Sequence, residues 1–555
     1  MTASRAPEIT RRRALQVGGV LTTAAVVAGA SGTSPAAAGT GSVFAHGVAS
    51  GDPLPDGVLL WTRVTPTPQA TPGSGVGPDA AVAWEVAADA GFRRVVRRGT
   101  ARTGAARDHT VKVDVGGLAP ATTYWYRFTS GGRTSPVGRT TTAPAAGADV
   151  TRLRMAVVSC ANLQAGWFSA YRHLAARRDL DLVVHLGDYL YEYAPGQYQA
   201  RDVVVRPHDP PREIVDLTDY RRRHAQYKAD PDLQALHAAA PWIVTWDDHE
   251  SANDAWSGGA ENHTEGAVEG AWATRQAASQ QAYAEWMPVR YEPGGHLYRR
   301  FTFGRLASLS MLDLRTYRDP QVSSPADPAL ADESRTITGP EQLDFLLDGL
   351  ADPAVQWKLV GNPVMIAPVR FPNTLDTASL TGVAELIGQQ TPAVTGVPYN
   401  VDQWDGYPAD RARVVGLLRD RGITDAVFLT GDIHSAWAAE LPADALTYPA
   451  TGDSVGVELV CTSVTSDNLD DLVGSPPGTT SRAVEAAIIA ANPHVKHLDF
   501  DSHGFSVLEV TPAAAQMDWF VLADRTDRAS AAVWSTSYTV PAGSRRIRRA
   551  AGRLA

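Results

Sequence analysis

The sequence predicts an α/β (α+β) protein in two parts, an antiparallel β-sandwich followed by a larger part with mixed sheets. Short alternating strands with turn residues recur roughly every ten to fifteen residues between 42 and 144, a rhythm typical of a sandwich. From 152 onwards, buried-type apolar runs such as LVVHL alternate with helical segments. This second pattern indicates β–α–β units and a partly parallel sheet covered by helices.

The first forty residues are predicted to be an export signal rather than part of the fold. Paired arginines, Arg11 and Arg12, precede a mild apolar run over 14–30, and Ala36 and Ala38 form a small-residue cleavage site. The apolar run is too short and too interrupted for a comfortable membrane span. The arginines resemble a twin-arginine signal, with an ordinary secretory signal as the alternative. We therefore expect a secreted, extracytoplasmic protein that uses the twin-arginine export machinery and has no stable membrane span.

The composition argues against a nucleic-acid-binding protein and against a disulfide scaffold. The chain has 555 residues, a net charge of −10 and a pI near 5.8, so specific nucleic-acid binding is not expected. It has only two cysteines, Cys160 and Cys461, too few for a disulfide scaffold in an exported protein. A single bridge between them and a thiolate that binds a metal remain the two alternatives. We expect a monomer.

Four regions follow from these patterns. The segment GLAPATTYWYRF resembles part of a fibronectin type III domain, with Leu118, Pro120, Thr122 and Tyr124 in matching places. The last residues, GSRRIRRAAGRLA, are basic and are expected to be a frayed, solvated end. The predicted regions are a twin-arginine signal peptide over 1–40, a fibronectin-like β-sandwich over 41–146, a larger α/β domain over 150–540 and a basic tail over 541–555.

Polar clusters follow four of the predicted strands: SCAN at 159–162, GDYLYEY at 187–193, WDDHESAND at 246–254 and GDIHSAW at 431–437. Ligands of open α/β sheets bind outside the carboxyl ends of the strands, so these clusters are expected to converge. A single aspartate after a strand is more often a turn former or helix cap. Four clusters rich in Cys, Asp, Tyr, His and Asn together favour a metal site.

The residue types suggest two unlike metals. Asp188 is placed to bridge them. Cys160 and Tyr191 normally keep their protons at neutral pH, and a strong Lewis acid is needed to make both good anionic ligands, which favours Fe(III) over zinc. Carboxylate and amide oxygens suit calcium, magnesium or manganese. We predict that Tyr191 faces the same ion as Asp188, whereas Tyr189 and Tyr193 are packing residues.

The motif set resembles that of the PhoD family of alkaline phosphatases and phosphodiesterases, a divergent branch of the calcineurin-like metallophosphoesterases. The matching elements, in order, are the arginine-containing leader, the sandwich, SC-x-N, GD-Y-x-Y-E, W-DDHE-x-x-N and GDIH. The general metallophosphoesterase pattern has an aspartate where this chain has Cys160 and another where it has Tyr191. The resemblance implies a metallophosphoesterase-type αββα sandwich with mixed sheets.

The resemblance also implies the metals and their ligands. Fe(3+) is paired with Ca(2+) in the family. Carried over residue by residue, the iron ligands would be Cys160, Asp188, Tyr191 and His434. The calcium ligands would be Asp188, Asp248 and Asp432, with Asn253 as a further candidate. A second calcium has Asp247 or Glu250 as suspected ligands.

The implied activity is phosphoester hydrolysis, in which a metal-bound hydroxide or oxide attacks the phosphorus atom of a phosphate ester. His249 is the candidate for polarising the phosphoryl group or protonating the leaving oxygen. Arg315 is a candidate phosphate clamp, and a structural salt bridge with Asp313 or Asp319 is the equal alternative. Monoester or diester preference stays open, including diesters of wall polymers, nucleotides or phospholipids. A non-catalytic secreted binding protein with structural metals is the other alternative.

Overall fold

The computed structural model describes residues 42–198, 203–372, 375, 377–386 and 396–555. The predicted signal peptide lies outside these residues. The strands are β1 Val48–Leu54, β2 Gly57–Arg63, β3 Ala80–Ala87, β4 Val95–Thr103, β5 Thr110–Val115, β6 Thr123–Ser130, β7 Arg133–Thr134, β8 Gly138–Thr141, β9 Leu153–Val158, β10 Leu182–Leu186, β11 Trp242–Thr245, β12 Arg299–Phe303, β13 Ala307–Met311, β14 Trp357–Asn362, β15 Ala426–Thr430, β16 Ala436–Pro442, β17 Ser454–Val460, β18 Val495–Asp499, β19 Gly504–Val510, β20 Ala514–Leu522, β21 Ala532–Pro541 and β22 Arg548–Arg549.

The helices connect and cover these strands. They are α1 Ser169–Ala176, α2 Leu217–Lys228, α3 Pro231–Ala239, α4 Trp272–Trp286, α5 Pro340–Leu350, α6 Thr377–Leu386, α7 Pro408–Asp420, α8 Tyr448–Thr451, α9 Leu469–Val473 and α10 Thr480–Ala491. Local sequence explains where several begin. Asp230 caps α3 by accepting the backbone N–H groups of Asp232 and Leu233, and a proline occupies its first turn. Within the described residues, no helix is long and apolar enough to cross a membrane.

Two large sheets form the centre of the molecule. One has ten strands in the order β22-β21-β20-β19-β9-β10-β11-β1-β2-β5, and the other has seven in the order β12-β13-β14-β15-β17-β16-β18. Both sheets are mixed. In the first, β9, β10 and β11 are parallel, whereas β9 pairs antiparallel with β19. In the second, β13 and β14 are parallel, whereas β12 and β13 are antiparallel. A shared apolar core between the sheets contains Val157 and Leu186 of the first and Leu309 and Leu429 of the second.

Helices cover the outer faces of both sheets. A second core joins the ten-stranded sheet to α1–α4, and a third joins the seven-stranded sheet to α5, α7 and α10. The layers are therefore helix, sheet, sheet, helix, which confirms the predicted αββα sandwich with mixed sheets. The strand pattern predicted the partly parallel sheet covered by helices, because strands buried on both faces read as continuous apolar runs, and the family resemblance implied the αββα arrangement.

The N-terminal sandwich is present, but one of its two sheets is not separate. Its apolar core lies between β1, β2 and β5 on one side and β3 and β6 on the other. Strands β1, β2 and β5 also continue the ten-stranded sheet, because β1 pairs in parallel with β11 at Gly51 and Trp242. The linker at 143–151 thus joins two parts that share a sheet.

The basic C-terminal tail is packed against the molecule, and the expectation of a frayed end is wrong. Arg548 pairs with Thr539 on β21, Ile547 is buried, and Arg546 forms an ion pair with Glu440 at 2.9 Å. The backbone N–H of Leu554 donates to Asp518. The tail is held by pairing with β21 and by the carboxylates of Glu440 and Asp518. The charge composition of the tail does not predict such partners.

Gly187 makes the turn that follows β10 possible. Its φ is +107°, and a Cβ there would lie 2.5 Å from Cβ of Asp247 and 2.6 Å from the backbone nitrogen of Asp247. A glycine is therefore required both for the backbone conformation and for the close approach of the two strand ends.

We expect Gly187→Ala to lower the free energy of unfolding more than Gly147→Ala does. Gly147 also has a positive φ, +74°, but open space around it, so its substitution should cost only the conformational term of about 1–2 kcal/mol. Overlap with Asp247 should add about 1–3 kcal/mol at Gly187. Denaturant unfolding of both variants measures the difference; equal losses would contradict the steric argument.

Candidate metal centre

The four polar clusters meet at one edge of the molecule. Strands β9, β10 and β11 end there from the ten-stranded sheet, and β13, β14, β15 and β17 from the seven-stranded sheet. The two sheets touch at these ends: Thr245 Oγ1 donates to the carbonyl of Leu312 at 2.7 Å, and Ser159 bridges to Ser463 in parallel. The convergence expected from the strand pattern is present.

Strained backbone marks the same place. Cys160, Asp188, Asp432 and His434 all have left-handed backbone conformations, with φ of 59°, 56°, 65° and 51°. Such conformations cost non-glycine residues about 1–3 kcal/mol each and collect at functional sites. These backbone conformations direct the side chains of four predicted ligands into one region.

One donor group contains the thiol, the phenol and an imidazole. Ligand atoms of Cys160, Asp188 and His434 all lie within 4.8 Å of one another. Tyr191 Oη lies 2.9 Å from Asp188 Oδ2 and 3.2 Å from His434 Nε2. The geometry therefore brings together the four residues predicted as iron ligands. Tyr189 points elsewhere, with its hydroxyl 2.9 Å from His237.

Neighbouring polar groups orient this donor group. His434 Nδ1 lies 3.0 Å from the carbonyl of Asp467, which directs Nε2 towards Tyr191. Ser466 Oγ donates to the carbonyl of Cys160 at 3.0 Å and lies 2.7 Å from Tyr191 Oη. Hydrogen bonds of this kind fix the tautomer and direction of a ligand side chain.

A second donor group consists mainly of carboxylates. Oxygens of Asp247, Asp248 and Asp432 lie within 4.8 Å of one another, and Asp188, Asp248 and His249 form an overlapping set. Asp188 therefore belongs to the thiol-containing group and also to a set that includes Asp248. Asn253 lines the same small polar cleft, together with Asp188, Asp248, His249, Asp254, Asn400, Asp402, Asp432, Ile433 and His434.

Burial raises the pKa of most of these acidic donors, whereas Arg315 and His249 lower the pKa of Asp248. Burial raises the pKa of Cys160, of Tyr191 and of Asp188 well above their usual values. Burial also raises the pKa of Asp247 to about 8 and that of Asp432 to about 7. Asp188 Oδ1 is buried and has no hydrogen-bond partner in the part of the chain that the structure describes. An unpartnered carboxylate oxygen beside a thiol, a phenol and an imidazole fits a metal ion.

Arg315 lies beside the carboxylates but is fully engaged by them. Its guanidinium bonds Asp247 at 2.5 and 3.1 Å and Asp402 at 3.0 and 2.9 Å. Arg315 therefore forms a structural ion pair, but with Asp247 and Asp402; the partners considered from the sequence, Asp313 and Asp319, are wrong. With Arg315 only about 3% exposed, the arrangement does not favour a phosphate clamp.

His249 is held by a glutamate to which sequence reasoning assigned no role. Its Nδ1 lies 2.8 Å from Glu192 Oε2, which leaves Nε2 for the cleft. Glu192 Oε1 accepts the backbone N–H of Asn253 at 2.8 Å and the side chain of Asn262 at 2.7 Å. Burial opposes a charged imidazole, but Asp248, Glu192 and Asp188 outweigh it and raise the pKa of His249. In the sequence, the only feature that could have pointed to a role for Glu192 was its position directly after Tyr191.

Glu250 has a structural role. Its carboxylate accepts the backbone N–H groups of Asp188 at 3.1 Å, Tyr189 at 2.5 Å and Asp247 at 2.9 Å. It therefore ties together the turns after β10 and β11. With its oxygens used in this way, Glu250 is a poor candidate for the second calcium.

The two cysteines are not bridged. Both are buried and free, and Ser159 Oγ lies between them, 3.1 Å from Cys160 Sγ and 3.3 Å from Cys461 Sγ. Of the two sequence alternatives, the geometry places Cys160 with the metal-type donors and leaves Cys461 as a buried thiol.

Known proteins are similar to this chain in sequence and in fold. The PhoD-like phosphatase family matches residues 155–519, and its N-terminal domain matches 29–144. Alkaline phosphatase D of Bacillus subtilis (strain 168) is 39% identical over 490 residues, which cover 86% of this chain and 77% of that protein. A solved structure of PhoD has a TM-score of 0.80 and 37% identity, and the match covers 92% of each chain.

The fold, the site and these similarities together define a phosphoric ester hydrolase. The chain belongs to the PhoD-like phosphatase family. The family resemblance expected from the sequence motifs is thereby confirmed, as is the enzyme class.

We expect Glu192→Gln to lower kcat by about 10–100-fold, the usual effect of losing a residue that orients an active-site group. The substitution keeps the shape of the side chain but removes the charge that holds His249 Nδ1. Metal content of the purified protein should stay at the wild-type level, because Glu192 is not among the metal-type donors. Assays with a chromogenic monoester and metal analysis measure both. Glu292→Gln, on an exposed glutamate, is the control, and wild-type kcat in Glu192→Gln would contradict the orienting role.

Proposed function

We propose that the protein is a metal-dependent phosphatase of the alkaline phosphatase D type that acts outside the cytoplasm on phosphate monoesters, phosphodiesters or both. The observation that supports this most strongly is Asp188. It joins two unlike donor groups, and one of its buried oxygens has no hydrogen-bond partner among the described residues. The family membership supplies the reaction class.

The donors fit the two metals that the sequence suggested. Cys160, Asp188, Tyr191 and His434 would hold Fe(III), since thiolate, phenolate and imidazole suit a strong Lewis acid. Asp188, Asp248, Asp432 and Asn253 would hold calcium, which prefers carboxylate and amide oxygens. Bound metal ions would supply positive charge for the phosphoryl oxygens and lower the pKa of a water molecule.

The protein's own groups would bind and orient the ester. His249 Nε2 is our candidate for holding a proton at the leaving oxygen, because Glu192 and the nearby aspartates favour the charged imidazole. Arg315 would keep Asp247 and Asp402 in place rather than touch the substrate. Tyr191 and Tyr198, whose rings stack 5.7 Å apart, would limit access of water from one side.

Export is proposed on the leader sequence alone. Arg11 and Arg12, the apolar run over 14–30 and the Ala36–Ala38 cleavage pattern favour the twin-arginine machinery as a partner during secretion. We further propose that the mature enzyme works as a monomer.

We expect the purified protein to hydrolyse a chromogenic phosphate monoester or diester and to lose this activity when a chelator removes calcium. Restoring calcium should restore turnover, because the carboxylate group needs a cation to bind phosphoryl oxygens. Side-by-side kinetics on a monoester and a diester, with metal analysis, identify the substrate class. If the metal-replete protein hydrolysed neither the monoester nor the diester, the result would favour the binding-protein alternative. If activity did not change when the chelator was added, the second metal would not be calcium.

Two substitutions separate the proposed metal ligands. Asp188→Asn should abolish metal retention and turnover together, because Asp188 serves both donor groups. Tyr191→Phe should remove any visible phenolate-to-iron absorption band while retaining calcium. Absorption spectra and metal analysis measure both effects. Asp313→Asn, on another strand-end aspartate outside the donor groups, is the control; full activity of Asp188→Asn would overturn the bridging assignment.

A further inference from the structure

Three buried residues, Thr465, Ser466 and Asp467, form a loop beside the thiol-containing donor group. The loop follows β17 and precedes α9, and we call it the support loop. Several of its hydrogen bonds go to residues that we propose as iron ligands. The position of the loop therefore affects where those ligands lie.

The support loop holds the strained backbone of Cys160. The backbone N–H groups of Thr465 and Ser466 both donate to the carbonyl of Cys160 at 3.3 Å, and Ser466 Oγ donates to the same carbonyl at 3.0 Å. Cys160 has a left-handed backbone with φ of 59°. A strained conformation persists where the surrounding structure over-determines it, and three donors on one carbonyl provide such surroundings.

Two further contacts of the support loop reach side chains of the donor group. Ser466 Oγ lies 2.7 Å from Tyr191 Oη. The carbonyl of Asp467 lies 3.0 Å from His434 Nδ1. With the contacts to Cys160, the loop touches three of the four proposed iron ligands.

The carboxylate-rich donor group is held by other segments of the chain. The backbone N–H of Asp254 donates to Asp248 Oδ2 at 2.6 Å, and Gln403 Nε2 donates to Asp432 Oδ2 at 3.1 Å. A displaced support loop should therefore disturb the thiol-containing group more than the carboxylate-rich group.

Arg525, in the connection between β20 and β21, fixes the support loop. Its guanidinium donates to the carbonyl of Thr465 at 2.7 Å and to Asp467 Oδ1 at 2.6 Å. It also pairs with Asp471 of α9 at 2.8 Å. The backbone of Arg525 is itself anchored, because its carbonyl accepts the N–H of Trp167 at 2.8 Å. A planar fork of donors holds a carbonyl and a carboxylate in one fixed geometry.

Stabilisation by charge pairing does not by itself account for this buried arginine. Arg525 is only 5% exposed, and desolvation of a buried ion pair can cost as much free energy as the attraction provides. The bond to the carbonyl of Thr465 neutralises no charge. The combined contacts favour a residue that fixes the direction of the loop.

We propose that Arg525 is a positioning residue for the thiol-containing donor group and acts through the support loop. It orients Cys160, Tyr191 and His434 without belonging to the donor group itself. This inference rests on the proposed function for the identity of the metal. The role of the loop rests on the contacts described above.

Arg525→Lys tests this role, because lysine keeps the charge but does not reproduce the planar fork. Fe(III) alone and Ca(2+) alone are the probes, and their affinities for the full-length protein are measured by competition with a chelator. Iron affinity should fall about 10–100-fold, the usual effect of losing a group that orients a metal ligand. Calcium affinity should stay at the wild-type level. An equal loss of both affinities would indicate general destabilisation and would overturn the proposal.

Hydrogen exchange of the metal-free protein gives a second readout that does not depend on iron. Arg525→Lys should speed exchange of the N–H groups of Thr465 and Ser466. The N–H groups of Asp188 and Asp247, in the turns after β10 and β11, should exchange as in wild type. Unchanged exchange in the support loop would overturn the proposal. If the wild-type protein bound no iron, faster loop exchange would support the role of Arg525 and overturn the proposed metal instead.

Arg63→Lys is the matched control. Arg63 is a fully buried arginine of β2 that donates to the carbonyl of Ala70 at 3.0 Å and pairs with Asp108 at 3.3 Å. Its substitution should leave iron affinity and exchange of the support loop unchanged. The same fall in iron affinity in this control would show that loss of any buried arginine suffices, and would overturn the proposal.

Asp467→Asn is a second variant that tests the same role if Arg525→Lys does not fold. It weakens the bond to Arg525 but keeps the backbone carbonyl that His434 contacts. Iron affinity should fall while calcium affinity is retained, as for Arg525→Lys. Wild-type iron affinity in Asp467→Asn would count against the proposal in the same way.

Discussion

The crowding of buried carboxylates at one edge of two sheets is the constraint on which the rest of this structure depends. Asp188, Asp247, Asp248 and Asp432 lie in a cleft where Arg315 and His249 are the nearby cationic groups. Burial raises the pKa of Asp247 and Asp432 to about 8 and 7. Added positive charge would stabilise such a group, and phosphate esters are anionic substrates that would benefit from the same charge.

The surrounding fold holds this unfavourable arrangement in place. Four predicted ligands have strained left-handed backbones, and the packed apolar core between the sheets offsets that strain. Glu250 binds three backbone N–H groups of the turns that carry Asp188 and Asp247. Glu192 binds the imidazole of His249 and the backbone N–H of Asn253. The acids next to the proposed ligands thus act through the backbone and through neighbouring side chains.

The N-terminal sandwich is joined to the catalytic part more closely than a linker suggests. Its strands β1, β2 and β5 extend the ten-stranded sheet through the contact of Gly51 with Trp242. The opposite sheet, formed by β3, β4, β6, β7 and β8, has one face in the sandwich core and the other towards solvent.

The sequence by itself determined the order of the two folds, the strand ends that carry polar residues and the family motifs. Strand alternation and buried apolar runs are local properties and predict the strand ends, whereas the resemblance to the family's motifs grouped Cys160, Asp188, Tyr191 and His434 without coordinates. Only the tertiary structure decided what Arg315, Glu192 and Glu250 contact, because their partners lie 3 to 87 residues away along the chain. It also decided that β1 joins β11 and that the basic tail is packed. Pairings between distant segments depend on how the sheets assemble, and local patterns do not encode them.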